Sequence, residues 1–175
     1  GRFQRLRRFH RAAARHVDAD VAVQDEKWFA GYLSGDLLLG DPGTRDAFMH
    51  GNQVCVPDAT LLPAGIERIY PGGARLCAET QVRFCATERS RDGDTYVYDI
   101  AVRSGSGEVI ERWEGLRLRA VRKRDGRGPW VASLLGSYLE RGLEEVLGTR
   151  IAVAVERDDP ELSQRKDRTA RAVGR

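Results

Sequence analysis

The chain has 175 residues, a length that suits one domain with a tail, and its 41% hydrophobic content is enough for a core. Its net charge of +3 comes from 26 arginines and 3 lysines against 26 acids, and most arginines alternate with acids or fall on strand faces, without the interleaved aromatics of a nucleic-acid surface. There is no run of 18 or more apolar residues and no apolar signal core behind the charges of GRFQRLRRFHR, so neither a membrane helix nor a secretory leader is expected, and the chain reads as cytoplasmic.

Residues 2 to 16 carry six arginines and no acid, and allow either a helical turn or a first strand. Val17, Ala19, Val21 and Val23 then alternate with Asp18, Asp20 and Ala22, the period of two that marks a half-buried strand over about 15–24. A loop, GYLSGDLLLGDP, leads to a helix from Asp41 to Val56. Asp41 is a fitting N-cap, Pro42 suits the first helical position and Pro57 ends it. AGIERIYP is a short strand bounded by Gly and Pro. Three long strands follow, ARLCAETQVRFCATERSR, TYVYDIAVRSG and VIERWEGLRLRAVRK, joined by tight turns at DGD and SGSGE. Val82, Phe84 and Ala86, then Tyr96, Tyr98, Ile100 and Val102, then Leu116, Leu118 and Ala120 define the inward faces. One buried helix and an antiparallel meander make an α+β layout.

The segment around 137–148 reads as an amphipathic helix, with Ser137 and Glu140 as a capping box and Gly148 as its stop. Its apolar stripe of Leu135, Tyr138, Leu139, Leu143, Val146 and Leu147 is expected to lie on the sheet or to join a following domain. A strand over 150–155 and a disordered tail over 156–175 complete the pattern. Cys55, Cys77 and Cys85 are odd in number and lack CxxC spacing; they read as small buried thiols, and no metal is implied.

The chemistry concentrates on the helix opened by Asp41. At 100° per residue, Asp46, His50 and Gln53 fall within about 60° of one another, one polar stripe on a helix otherwise mostly apolar. A helix apolar nearly all round is usually enclosed by other structure, so the stripe must face a partner, water or a ligand.

GDPGTRDAFMH resembles the segment of polyketide synthase and fatty acid synthase dehydratases in which a Pro is followed four residues later by an Asp, then four later by Gln or His; Pro42, Asp46 and His50 match that spacing. GRFQRL, CVPDATLLPAGIERI and GEVIERWEGLRLRAV are similar, in order, to further segments of the same domain, so the resemblance covers about residues 1–122. MHGNQVCVPDATLLP and CATERSRDGDTYVYDI look most like the dehydratase region of iterative, enediyne-type synthases. The resemblance implies a hot-dog fold, an antiparallel sheet wrapped around a central helix, forming the second half of a double hot dog. On that basis residues 1–130 are the hot dog, and 131–155 are a helix and linker toward a following domain.

The implied reaction is loss of water from a 3-hydroxyacyl thioester carried on the phosphopantetheine of an acyl carrier protein, with no other cofactor. It needs a base for the α-proton and assistance for the departing β-hydroxide. By the match, Asp46 is the acid or hydroxyl-orienting group and His50 holds it or the substrate; on the same helix Gln53 and Met49 are candidates for substrate contact, Gln53 being alternatively a hydrogen-bonding group to a strand edge. The family's base is a His in an HxxxGxxxxP segment of the first hot dog. Neither His10 nor His16 is followed by that pattern, so the base is expected in a preceding half and the chain alone is expected to be inactive. Expected partners are the carrier protein, the preceding hot-dog half and neighbouring domains, or a second copy of the chain, with no nucleic acid or membrane. The alternatives are a non-catalytic acyl-binding or scaffolding hot dog and a product-template-like cyclase.

Overall fold

The computed structural model of the chain describes residues 1–24, 28, 37, 39–123 and 131–153. Most of the loop expected ahead of Asp41 and the tail over 156–175 lie outside these residues. Two strands open the fold, β1 (Leu6–Ala13) and β2 (His16–Ala22), so the N-terminal stretch resolves as a strand. There follow α1 (Pro42–His50), β3 (Ala59–Gly65), β4 (Arg68–Tyr70), α2 (Ala74–Cys77), β5 (Gln81–Asp92), β6 (Thr95–Arg103), β7 (Val109–Lys123) and α3 (Leu135–Leu147). Every strand pairing is antiparallel; the order is β1-β2-β5-β6-β7-β3, with β4 also on β7.

The period-two pattern explains why this sheet packs as it does. Val17, Ala19 and Val21 of β2, Val82, Phe84 and Ala86 of β5, Tyr96 to Val102 in alternation on β6, and Leu116 and Leu118 of β7 are all buried in one cluster. The cluster closes around α1. Phe48, fully buried, stacks on Phe84 with ring centroids 6.0 Å apart and meets Trp113 edge-on at 6.0 Å. Gly51 lets the helix come this close, since a Cβ there would lie 2.7 Å from the Phe84 ring. Gly115, at φ +63°, sits where the β6–β7 register slips, and its N–H donates to the Asp99 carboxylate at 3.0 Å. Such a bulge adds local twist and helps the sheet curl around the helix.

The structure corrects four local expectations. A strand, β3, already runs from Ala59, and it carries Pro63 on the sheet edge, where a missing N–H costs no ladder bond. Ala74–Cys77, read as the start of a long strand, is a helical turn, and the strand begins at Gln81. Residues 150–153 form no strand; the rest of that expected strand lies outside the described residues. At α3 the expected capping box does not form. A 3₁₀ turn, Ala132–Leu134, precedes the helix, so Ser137 is its third residue, and Ser137 and Glu140 are both buried.

Of the two placements expected for α3, on the sheet or toward a following domain, its apolar stripe takes the first only through the half-buried Tyr138 and Leu139. Its polar side faces the domain, through Ser137, Glu140 and Arg141, whereas Leu135, Leu143, Val146 and Leu147 are exposed. Gly148, at φ +66°, ends the helix as expected, its N–H returning to the Glu144 carbonyl at 2.8 Å.

The three thiols divide by environment. Cys55 is buried, and burial pushes its thiol up to about 12; Cys85 is half-buried and Cys77 is exposed, so only one of the three meets the expectation of a buried thiol. Reactivity follows the thiolate. In a native-state titration with an aromatic disulfide reagent, Cys77 is expected to react first and Cys55 only on unfolding. Labelling of Cys55 in the folded chain would contradict this packing.

Candidate functional site

Asp41 starts α1 as its residue type suggests. Its Oδ1 accepts the Thr44 N–H at 2.7 Å and the Thr44 hydroxyl at 2.9 Å, and its Oδ2 accepts the Trp28 indole N–H at 2.5 Å. A cap of this kind is worth about 1 kcal/mol, and its charge complements the helix N-terminus. At its other end α1 tightens into a 3₁₀ turn, Gly51–Cys55.

Between these ends the helix is two-sided. Phe48, roughly 200° around the axis from Asp46, takes the buried side, which leaves the Asp46–His50 side turned away from the sheet. The expected enclosure is therefore not found in this chain. The Asp46 side chain is 31% exposed and the His50 side chain 42%. They form a pair, with His50 Nδ1 lying 2.9 Å from Asp46 Oδ1 and 3.2 Å from the Asp46 carbonyl oxygen. With two acceptors before it, Nδ1 is the protonated nitrogen that donates. Oδ2 of Asp46 and Nε2 of His50 make no hydrogen bond that would tie them up within the pair. Met49 is half-buried and packs against the core from the same helix.

Gln53 is used differently. Its amide nitrogen donates to the carbonyls of Val56 at 2.8 Å and Ala59 at 2.6 Å, while its Oε1 accepts the Leu61 N–H at 2.9 Å. This side chain clamps the end of the helical segment to β3, the strand-edge hydrogen bonding that is one of the two roles expected for it. Gln53→Ala is expected to lose about 1–3 kcal/mol of stability, because three backbone groups lose their partner. A chemical denaturation curve checks this, and a loss below about 0.5 kcal/mol would show that the clamp is dispensable.

Two residues beside the stripe escaped the sequence reading. Arg45, 8% exposed, forms an ion pair with Glu111 of β7 and donates to the Leu39 carbonyl, and its guanidinium lies 5.8 Å from the Trp113 ring. Burial lowers Arg45 from the usual arginine range to about 10, which still leaves it charged at neutral pH. Glu111, 2% exposed, also accepts from the Trp113 indole at 2.6 Å and from the Gly72 N–H at 2.7 Å. The four groups rivet α1 to β7 one residue from Asp46. Their one sequence signal is a Glu on an inward-facing stretch of a strand.

The other two histidines are on the wrong face to join Asp46. Val17, Ala19 and Val21 face the helix, so Asp18 and Asp20 face outward, and His10 pairs with Asp20 at 2.8 Å. His16 bonds the Thr87 hydroxyl at 3.0 Å from the same outer face, with its imidazole pKa lowered by burial and by Arg11. Among the chain's three histidines, only His50 reaches the Asp46 side. No group of three or more metal-ligating side chains is found among the described residues, and no described helix is long and apolar enough to cross a membrane.

Residues 1–127 match the family model described as the polyketide synthase dehydratase N-terminal domain. The chain belongs to the polyketide synthase dehydratase family. No curated protein matches it. Among solved structures, the dehydratase domain of a mycocerosic acid synthase-like polyketide synthase is 21% identical with a TM-score of 0.53, over 70% of this chain and 43% of that one. A trans-acyltransferase polyketide synthase enoyl-isomerase is 16% identical with a TM-score of 0.52, over 67% of this chain and 45% of that one. These likenesses show the fold: the curled antiparallel sheet and its central helix form a hot dog. The dehydratase-family chain spans less than half the length of either structure.

Proposed function

We propose that this chain is the Asp-bearing second hot dog of a polyketide synthase dehydratase, acting on 3-hydroxyacyl chains tethered to an acyl carrier protein. The observation that carries the reading is the Asp46–His50 pair on the open side of the central helix, 2.9 Å apart, in a chain whose other histidines lie across the sheet. The position in the second half rests on the order of the motifs from GRFQRL to GEVIERWEG, and the enediyne-type assignment on MHGNQVCVPDATLLP.

In this reading a base from the preceding half removes the α-proton, and the electron pair forms the Cα–Cβ double bond as the Cβ–O bond breaks. The departing hydroxide takes a proton, from Asp46 acting as the acid or, where Asp46 only orients the hydroxyl, from the base that received the α-proton, and leaves as water. The Nδ1–H of His50 holds Oδ1 of Asp46, so Oδ2 is the oxygen available to the β-hydroxyl. Met49 adjoins the acyl chain, and the carrier's phosphopantetheine is the only prosthetic group needed. The exposed arginines of β1, Arg7, Arg8 and Arg11, would favour encounter with an acidic carrier.

The test mixes the chain with the preceding hot-dog segment of its parent synthase and follows enoyl formation on a 3-hydroxyacyl carrier protein by mass. Activity in the mixture and not in either part alone is expected. Binding of acyl carrier without turnover would favour the acyl-binding or scaffolding alternative, and a cyclised product the product-template one.

A further inference from the structure

Helix α3 lies beyond residues 1–127, the span that matches the dehydratase family, yet it reaches the 3₁₀ turn that directly follows the helix of Asp46 and His50. Its Arg141 is 6% exposed and donates from Nε to the carbonyl of Cys55 at 2.8 Å. Cys55 is the last residue of the 3₁₀ turn that continues α1. From Nη2 the same guanidinium reaches the Ala14 carbonyl in the β1–β2 turn, the Glu88 carboxylate of β5 and, at 3.4 Å, the Tyr98 hydroxyl of β6. It also lies over the Tyr96 ring, 5.0 Å from its centroid. The neighbouring Glu140 accepts the Ala14 N–H at 2.9 Å.

The final carbonyls of a helical segment lack partners within it, and a cation suits that end of the dipole. At the end of the 3₁₀ turn the Gln53 amide takes the Val56 carbonyl, and the Cys55 carbonyl is left to Arg141. Asp41 and the Arg45–Glu111 pair secure the front of the segment from within the matched span; at its far end Gln53 holds it from within that span and Arg141 from outside it.

We propose that Arg141 is a positioning residue for the Asp46–His50 site, through which α3 becomes part of the working unit of the domain. The inference rests on the dehydratase reading for its effect on turnover, but not for its effect on the segment itself. Arg141 touches no substrate. It acts by holding residues 51–55, and through them the C-terminal turn of α1 that ends at His50.

Amide hydrogen exchange on the 175-residue chain and turnover of the reconstituted mixture test this together. In Arg141→Met, exchange at 51–55 is expected to rise about tenfold or more while the amides of β6 and β7 keep their protection. In the mixture kcat is expected to fall about tenfold with KM unchanged, and Arg141→Lys, which keeps the charge and one donor, is expected to recover part of both. Should Arg141→Met fail to fold, Arg141→Lys carries the same two readouts. Faster exchange confined to α3, or faster exchange at 51–55 with kcat unaltered, would overturn the proposal. If Asp46→Asn leaves turnover intact, the dehydratase reading fails instead, and the exchange data still decide whether Arg141 holds the segment.

Discussion

Glu111→Ala is expected to remove about 3–5 kcal/mol of folding stability, the range found when one partner of a buried ion pair is deleted. Glu111 is 2% exposed and answers three donors at once: the Arg45 guanidinium, the Trp113 indole and the Gly72 N–H. Deleting its carboxylate strands a buried cation and two buried N–H groups. Arg45 already bears a desolvation cost, visible in its lowering to about 10, and without Glu111 that cost has little to offset it. Glu111→Gln keeps an acceptor and the side-chain volume, so a smaller loss of about 1–3 kcal/mol is expected. Urea denaturation of the wild type and both variants gives the comparison. Arg75→Ala is the control, because its pair with Glu108 is solvent-exposed on both sides and should change stability by less than about 0.5 kcal/mol. An Ala variant as stable as the control would mean that the Arg45–Glu111 pair does not secure the helix.

Asp46→Asn is expected to lower turnover of the reconstituted dehydratase by about 10²–10⁴-fold, the usual contribution of a positioned acid or base. The substitution is nearly isosteric and the side chain is 31% exposed, so folding stability should change little. The amide can still meet the His50 Nδ1–H through its oxygen, but it offers the β-hydroxyl an NH₂ where the carboxylate offers an acceptor. A loss of kcat with unchanged substrate binding is the expected result, read by pre-equilibrium binding of acyl carrier beside mass-detected turnover. His50→Ala should cost less, since in this reading the imidazole orients Asp46 and does not touch the departing oxygen. Equal activity in wild type and Asp46→Asn would remove Asp46 from the chemistry.

The meander was legible because strict alternation of Val82, Phe84 and Ala86 with Arg83, Cys85 and Thr87 leaves a strand only one way to bury its apolar face. The cap at Asp41 was legible for a similar local reason. Strand β3 was less so, since Pro63 demotes a strand pattern unless the edge position is known in advance. The stripe of Asp46 and His50 could be read from helical spacing, but its exposure could not, because the sheet covers only the Phe48 side. Gln53 sits at the right spacing for the same stripe, yet β3 returns past it and takes both ends of its amide, a contact decided by tertiary path. Arg45, Glu88 and Arg141 carry no local sign of burial, and Glu111 only its place on an inward-facing stretch of strand, because the partner of each lies dozens of residues away. The orientation of α3 stayed open for the same reason: its apolar stripe suits the sheet or a following domain alike until Arg141 finds its partners.

The seating of α3 bears on how such a domain can be cut and joined. An exchange of dehydratases between synthases that places its junction at residue 127, where the likeness to the family ends, would remove the guanidinium on which Glu88, Tyr98, Ala14 and Cys55 converge. The transplanted piece would keep its whole sheet and its central helix, but Glu88 would be left with only Arg15 and the Tyr98 hydroxyl to answer it. A junction after Gly148, where the left-handed residue stops the helix, keeps that cluster intact and delivers the outward leucines to whatever follows.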